Sequence, residues 1–258
     1  MSNFERKQRI MNILYQKQSI TIDELLQLLN VSPATIRRDV KELAEKGLVI
    51  RYPGGISLPT FSFGYEPSLK ERESKNLKAK YAIAQEAVKL IKEGEVIGID
   101  IGTTTLEFAK ALISYQVQNI TVFTFSIPIA YTLAHSNLKV FLTGGQINPK
   151  ELSLSGPIVR EIIKQYHFDK FFLGAAGITE EAGISDFDID AIEIKKLFIK
   201  NSREVILLTD SSKFGKTSFK TICGFEEINK IITDEKIEPI YLKLLKKKGV
   251  ETIIVHLE

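Results

Sequence analysis

The sequence predicts an α/β protein in two parts: a small, mostly helical N-terminal segment, then a larger domain on a mostly parallel sheet. Three observations carry this. From residue 96 onward, short runs rich in β-branched and aromatic residues alternate with amphipathic stretches, the pattern of strands joined by covering helices. Before residue 60, apolar residues recur at helical spacing and then give way to two short strand-like runs around a Pro-Gly-Gly turn. Charge is also unevenly shared: residues 1–60 hold nine Lys/Arg against six Asp/Glu, the remaining 26 bases and 26 acids cancel, and the whole excess of +3 sits in the first part.

A hydrophobic content of 44% supports a real core, and 26% charged residues is ordinary for a folded domain in water. No apolar run approaches the roughly 20 residues a membrane helix needs, so no membrane partner is expected. Met1 to Ile20 lacks the apolar core of a signal peptide. Cys223 is the single cysteine, so no intrachain disulfide can form, and a cytoplasmic location is expected. His135, His167 and His256 are scattered without metal-ligand spacing, and no metal is expected.

The elements of the first part follow in order. Phe4 to Lys17 reads as a helix with Ile10, Ile13 and Leu14 inward. Thr21 to Glu24 has the form of a capping box and opens a short helix through Leu29, with Leu25, Leu28 and Leu29 inward. Asn30-Val31 makes a tight turn. Ser32 then caps a third helix and Pro33 occupies its first turn, where the missing N–H costs nothing. Gly47 ends that helix. Leu48–Tyr52, the turn Pro53-Gly54-Gly55, and Ile56-Ser57 form a small hairpin. Three helices and a hairpin make a winged helix-turn-helix.

The third helix buries Ile36, Val40, Leu43 and Ala44 on one stripe. Its other face carries Ala34, Arg38, Lys41 and Glu45, flanked by Thr35, Arg37 and Glu42. The cations lie early and the acids late, so its N-terminal half is the part suited to enter a DNA groove. Arginine and threonine there reach base edges or phosphates. The expected double-stranded DNA contacts are Ser32, Ala34, Thr35, Arg37, Arg38 and Lys41, with Arg51 reaching from the wing. Alone, such a helix reads first as an ordinary amphipathic surface helix, and Arg51 equally as a solvent-facing strand residue; the neighbouring elements favour DNA binding.

The run VSPATIRRDVKELAEKGLVIRYPGG, continuous across helix, turn and wing, is similar to the N-terminal signature of the DeoR family of bacterial transcription regulators. That resemblance implies a C-terminal effector domain.

Ser57 to Ser68 reads as a linker, and Leu69 to Lys92 as one long helix stopped by Gly94. Candidate strands follow at Val96–Asp100, Ile120–Phe123, Lys139–Leu142, Lys170–Leu173, Glu204–Leu208, Lys230–Ile232 and Thr252–His256. Helices are expected at Leu106–Leu112, Ile158–Tyr166, Ile189–Asn201 and Pro239–Lys248. Ligands of such sheets sit beyond the carboxyl ends of the strands. The first strand-end loop runs from Asp100 through Ile101 and Gly102 to Thr103, Thr104 and Thr105. Its hydroxyls and N–H groups can bind an anion at a helix start, or simply cap that helix. It is neither a Walker A loop nor G-x-G-x-x-G, so no ATP, NAD or other cofactor is called for. Equivalent loops hold Gly144 and Gly145, Gly174, and Lys213, a flexible cation suited to a phosphate or a carbonyl oxygen, although a lysine after a strand is more often simply solvated.

The runs DIGTTT, LTGG, FFLGAAGI and LLTDSSKFG resemble the C-terminal domain of the same family, in the same order, so the likeness covers nearly the whole chain. It implies a fold similar to sugar-phosphate isomerases, used for sensing a phosphorylated sugar effector. Asp100, Gly102, Thr103, Thr104, Thr105 and Lys213 match positions the family associates with that pocket. Three positions depart from the family pattern: Ile101 stands for a serine, Phe125 for an asparagine and Asn148 for an arginine. The expected organisation is a winged helix-turn-helix at 1–57, a linker at 58–68 and a mostly parallel α/β sensor domain at 69–258. The expected function is a sugar-operon regulator, most simply a repressor, acting as a homodimer or homotetramer on paired half-sites. The alternative is an isomerase-like enzyme with an appended DNA-binding module, Asp100 and Lys213 being its nominal base and electrophile.

Overall fold

The N-terminal head closes around one small core. The computed structural model describes residues 2–17, 19–52, 54–58, 69–115 and 117–257, without the side chains of Tyr15, Gln16 and Lys70. The expected linker, apart from Leu58, and Pro53 of the expected turn lie outside the described residues. The head comprises α1 (Asn3–Lys17), β1 (Ser19–Thr21), α2 (Ile22–Leu29), α3 (Pro33–Glu45), β2 (Ile50–Tyr52) and β3 (Gly55–Ser57). Thr21 caps α2 as expected: its Oγ1 accepts from Glu24 N at 3.2 Å, and Glu24 Oε2 accepts from Thr21 N at 3.0 Å. Beyond α3, Leu48 N donates to Leu43 O at 3.0 Å and Gly47 N to Ala44 O at 2.9 Å, the double bond that turns a helix end back on itself. Ile10, Leu14, Leu25, Leu29, Ile36, Val40 and Leu43 are buried together with Ile20 and Ile56. Leu28, expected inward, is 44% exposed, because α2 is short and only its Leu25–Leu29 edge meets α3. β1 is too short to show a period; it pairs with β3, and β3 with β2.

The expected helix from Leu69 is two helices, α4 (Leu69–Ser74) and α5 (Leu77–Val88), broken at Asn76, whose φ is 52°. A buried lysine secures the break: Lys80 Nζ donates to the Arg72 carbonyl and, at 3.5 Å, to that of Glu73, satisfying the end of α4. Burial pushes the Lys80 ammonium down to about 8 against the opposing charge of Asp210.

The chain continues through β4 (Val96–Ile99), α6 (Thr103–Ser114), β5 (Thr121–Thr124), α7 (Ile127–Leu133), β6 (Lys139–Leu142), β7 (Gln146–Asn148), β8 (Ser153–Ser155), α8 (Pro157–Lys164), β9 (Phe168–Leu173), β10 (Gly177–Thr179), β11 (Gly183–Asp186), α9 (Ile189–Lys200), β12 (Ser202–Leu208), β13 (Lys220–Cys223), β14 (Lys230–Asp234), α10 (Pro239–Lys247) and β15 (Glu251–Val255). All seven expected strands join one parallel sheet in the order β15-β14-β12-β9-β4-β5-β6. Both faces are covered, which is why the strands are apolar almost throughout. Ile97, Ile99, Phe172 and Ile206 pack against α5 and α6, and Phe171, Leu173 and Leu207 against the layer holding Phe198 of α9. Two small antiparallel units escape sequence reading, the β7-β8 hairpin and the sheet β10-β11-β13, since three- and four-residue strands show too little alternation.

The strand order locates the site. From β4 the chain moves outward to β5 and β6, then returns to β9 on the other side of β4 and moves outward through β12, β14 and β15. The reversal lies between β4 and β9, and a crevice opens where their following loops diverge.

Candidate functional site

Two surfaces concern function. On the head, Ala34, Arg37, Arg38 and Lys41 of α3 are exposed, Thr35 is half-buried, and Arg51 is exposed on β2. Ser32 Oγ accepts from Thr35 N at 3.3 Å and lies 2.8 Å from Thr35 Oγ1, closing the start of α3. Among the described residues, Arg37, Arg38 and Arg51 make no hydrogen bond or ion pair. The acids of α3 are largely drawn off that face. Asp39 is fully buried and accepts from Arg6 of α1, through Nη2 at 3.0 Å and through Nε. Glu42 pairs with Lys7. Glu45 stays on the outward face and lies 3.8 Å from Lys41, so Arg37 and Arg38 are the α3 cations left without an ion pair among the described residues. Sequence reasoning passed over Arg6 and Asp39, yet both sit at core spacing, Arg6 four residues before Ile10 and Asp39 three after Ile36.

The second surface is a cavity of about 850 Å³ at the reversal point. Its wall includes Ile101 to Thr105, Gly174, Ser212, Lys213 and Lys216, with Arg72, Lys75 and Asn76 contributed by the break between α4 and α5. Gly102 stands at the N-cap of α6 and supplies no side chain. Thr105 Oγ1 turns back to donate to Gly102 O at 3.0 Å. Among the described residues no acceptor meets the N–H groups of Thr103, Thr104 and Thr105. A helix start left open in this way carries free donors and the positive end of the helix dipole.

Lys213 sits in a single tight turn after β12, where Asp210 caps the turn and holds Asn76 Nδ2 at 2.8 Å. Among the described residues the Lys213 and Lys216 ammonium groups make no hydrogen bond or ion pair. Burial pushes Lys213 down, with Asp210 opposing and Arg72 adding to the shift. Lys216 is likewise pushed down, by burial first and then by Lys213. The lining acids, in contrast, are largely engaged. Glu151 pairs with Arg72, and Asp186 with Lys195. Asp188 caps α9 and accepts from Asn148 Nδ2 at 2.6 Å. Among the described residues, Lys213 and Lys216 are lining cations without a bonded partner, whereas each of Glu151, Asp186 and Asp188 has one.

Three expected ligand residues lie outside this wall. Asp100 is fully buried behind it, accepting from Gly174 N at 2.9 Å and lying 2.7 Å from Lys195 Nζ. Burial pushes Asp100 up to about 6 against the pull of Lys195. Burial works against the Lys195 charge too, but Asp100 and Asp186 outweigh it and hold the ammonium protonated above the ordinary lysine range. Lys195 was not foreseen, although it shares the inward stripe of Ala191 and Phe198. Gly144 and Gly145 follow β6, the edge strand two places from β4, and so fall away from the crevice. Gly145 has a packing role, since a Cβ there would lie 2.5 Å from Ser155 O and 2.7 Å from Val159. Of the departures from the family pattern, only Ile101 lines the cavity, while Phe125 is buried against Phe198 with ring centroids 6.0 Å apart.

Residues 6–61 match the DeoR-like helix-turn-helix domain, and residues 75–235 match the DeoR C terminal sensor domain. The chain is 33% identical over 249 residues to the HTH-type transcriptional regulator GlpR of Haloferax volcanii, covering 96% of each. It is 31% identical over 235 residues to the glycerol-3-phosphate regulon repressor of Escherichia coli, covering 91% of this chain and 92% of that one. There is also a loose likeness, at a TM-score of 0.42 and 22% identity, to ribose 5-phosphate isomerase A of Methanocaldococcus jannaschii, over 54% of this chain and 55% of that one.

Proposed function

The chain belongs to the DeoR family of transcription regulators, and from that premise we propose that its cavity binds a phosphorylated sugar metabolite which sets how tightly the α3 face holds operator DNA. It is a DNA-binding regulator, as its relatives are, and not an enzyme. One observation carries the effector reading: a helix start and an ammonium, both without a partner among the described residues, face the same cavity. A compact dianion satisfies both at once. The volume of about 850 Å³ suits a sugar phosphate. The name of the glycerol-3-phosphate regulon repressor supports an effector of this class.

Gly102, Thr103, Thr104, Thr105, Gly174 and Lys213 make up the proposed ligand contacts, and Asp100 acts behind them by holding the Gly174 N–H. On the DNA side the set is Ser32, Ala34, Thr35, Arg37, Arg38, Lys41 and Arg51. The division at 1–57, 58–68 and 69–258 goes with this reading. So does repression of a sugar-metabolism operon by a homodimer or homotetramer, since one winged helix covers few base pairs. The exposed Leu142 and Ile147 beside edge strand β6 offer a self-association surface, which light scattering would test.

Calorimetry with a panel of sugar phosphates and the matching free sugars tests the cavity, on full-length wild type, Thr104→Ala and Lys213→Ala. An ester should bind, its free sugar should not, and each substitution should weaken binding by about ten-fold or more, the loss of a charge-assisted hydrogen bond. Undiminished binding to both variants would place the ligand elsewhere.

A further inference from the structure

The cavity is not built by the sensor domain alone. Lys17, the last residue of α1, lines it from the head. Its Nζ lies 3.1 Å from Glu24 Oε1 of α2 and 3.1 Å from Glu238 Oε1, at the start of α10. One lysine thus bridges an acid of each domain at the edge of the cavity. Glu24 is only 4% exposed, and its other oxygen holds the capping box of α2. The contact between the domains is equally tight at Gly215. A Cβ on Gly215, two residues past Lys213, would lie 2.8 Å from Glu24 Oε1 and 2.3 Å from Tyr241 Oη. The loop that presents Lys213 and Lys216 to the cavity therefore rests directly on the head.

We infer that Lys17 is a ligand-contacting residue contributed by the DNA-binding head, and that a phosphate ester in the cavity draws it off its bridge to Glu24 and Glu238, loosening the seat of the head on the sensor domain. This rests on the cavity being the effector site proposed above. The physical reason is competition for one cation. Lys17 is about a third exposed, and Glu238 is 44% exposed. The Glu238 half of the bridge is therefore screened and weak, Glu24 being the buried and firmer partner, and a dianion seated against Lys213, Lys216 and the α6 start competes first for the hold of Glu238 on the cation. A ligand shifts an equilibrium only by binding its two states differently, and a cation held either by the interdomain bridge or by the ligand supplies that difference. Coupling is reciprocal, so whatever the ester does to DNA affinity, DNA does to ester affinity.

The test uses the full-length protein, glycerol 3-phosphate and inorganic phosphate as probes, and DNA from upstream of the protein's own coding sequence. Lys17→Gln should bind the probes about ten-fold more weakly and lose most of the ester's effect on DNA affinity, and Lys17→Arg should restore both. Glu238→Gln removes a competitor and should bind the probes about three-fold more tightly. A merely structural bridge predicts the opposite sign there, because losing it would loosen the cavity. If Lys213→Ala loses the probes while Lys17→Gln binds them as wild type does, the head's contribution is overturned and the cavity reading stands. If neither substitution changes binding, or if neither probe binds wild type, both readings fall. Should Lys17→Gln fold poorly, Glu238→Gln decides the matter by its sign.

Discussion

Two lysines stand on either side of the same strand ends. Behind β4 and β9, Lys195 is 1% exposed and lies between Asp100 and Asp186. In front of them, Lys213 borders an open cavity without a bonded partner among the described residues. The two helix starts repeat the contrast: Ser32 closes α3, while among the described residues no side chain caps α6. A buried charge is tolerated when its partners are built in, and an unmatched one marks a place where the partner arrives from outside. The closed centres hold shape, and the open ones await DNA or an anion.

The largest effect should come from breaking the closed knot. Lys195→Met leaves the buried Asp100 and the cavity-lining Asp186 without their cation and should cost about 3–5 kcal/mol in urea unfolding. A midpoint within error of wild type would mean the knot does not hold the strand ends. Next comes the outward face of α3. Arg38→Ala should weaken operator binding by about 1–3 kcal/mol and leave stability unchanged, because Arg38 makes no hydrogen bond or ion pair among the described residues. Arg6→Ala should do the reverse, losing stability by exposing the need of Asp39 for a partner; gel shift and thermal melting together separate the two. Third, Ser32→Ala should cost about 1 kcal/mol of stability, the worth of an N-cap. No loss at all would place that cap in the class of the open α6 start.

The smallest effect sharpens the comparison most. Lys213→Met should leave the ligand-free protein as stable as wild type, or up to about 1 kcal/mol more stable, a sign opposite to that of Lys195→Met. The folded pKa of Lys213 lies below its unfolded value, so its charge costs stability at neutral pH, and that cost fades as pH rises toward the unfolded pKa. An anion raises that pKa again, so binding above neutrality should take up protons, and affinity should fall as pH climbs through the depressed value. Calorimetry in two buffers of different ionisation heat measures the uptake; none in wild type would show that Lys213 is already protonated when the ligand arrives, and binding unchanged in Lys213→Met would show that it does not meet the ligand.

How much of this was legible follows from how local each feature is. The capping box at Thr21, the Ser32 cap, the turn at Gly47 and the α3 stripe are set by residues a few positions apart, and all stand where their spacing placed them. The seven strands were recognisable as apolar runs: the five inner ones are largely buried, and the edge strands β6 and β15, though partly exposed, keep the same apolar character. The break at Asn76 was hidden because the polar run from Leu69 to Asn76 holds no glycine or proline to mark it; Lys80 closes the end of α4 locally, and Asn76 itself is held by Asp210, 134 residues away. Lys195 and Asp39 were visible only as charges at core spacing, a pattern that acquires meaning once the partner is known.

By itself, then, the sequence determined the winged helix-turn-helix, the parallel α/β domain and the loops from which a site could be built, because periodicity, caps and turns are short-range. Only the tertiary structure decided which loops meet. The reversal of strand order between β4 and β9 brings the loop at Thr103 to Gly174 and Lys213, and leaves Gly144 and Gly145 two strands away. It also buried Asp100 behind the cavity and brought Lys17 to its edge from the other domain. Strand order and domain seating are settled by packing between residues far apart in the chain, and no local pattern encodes that distance.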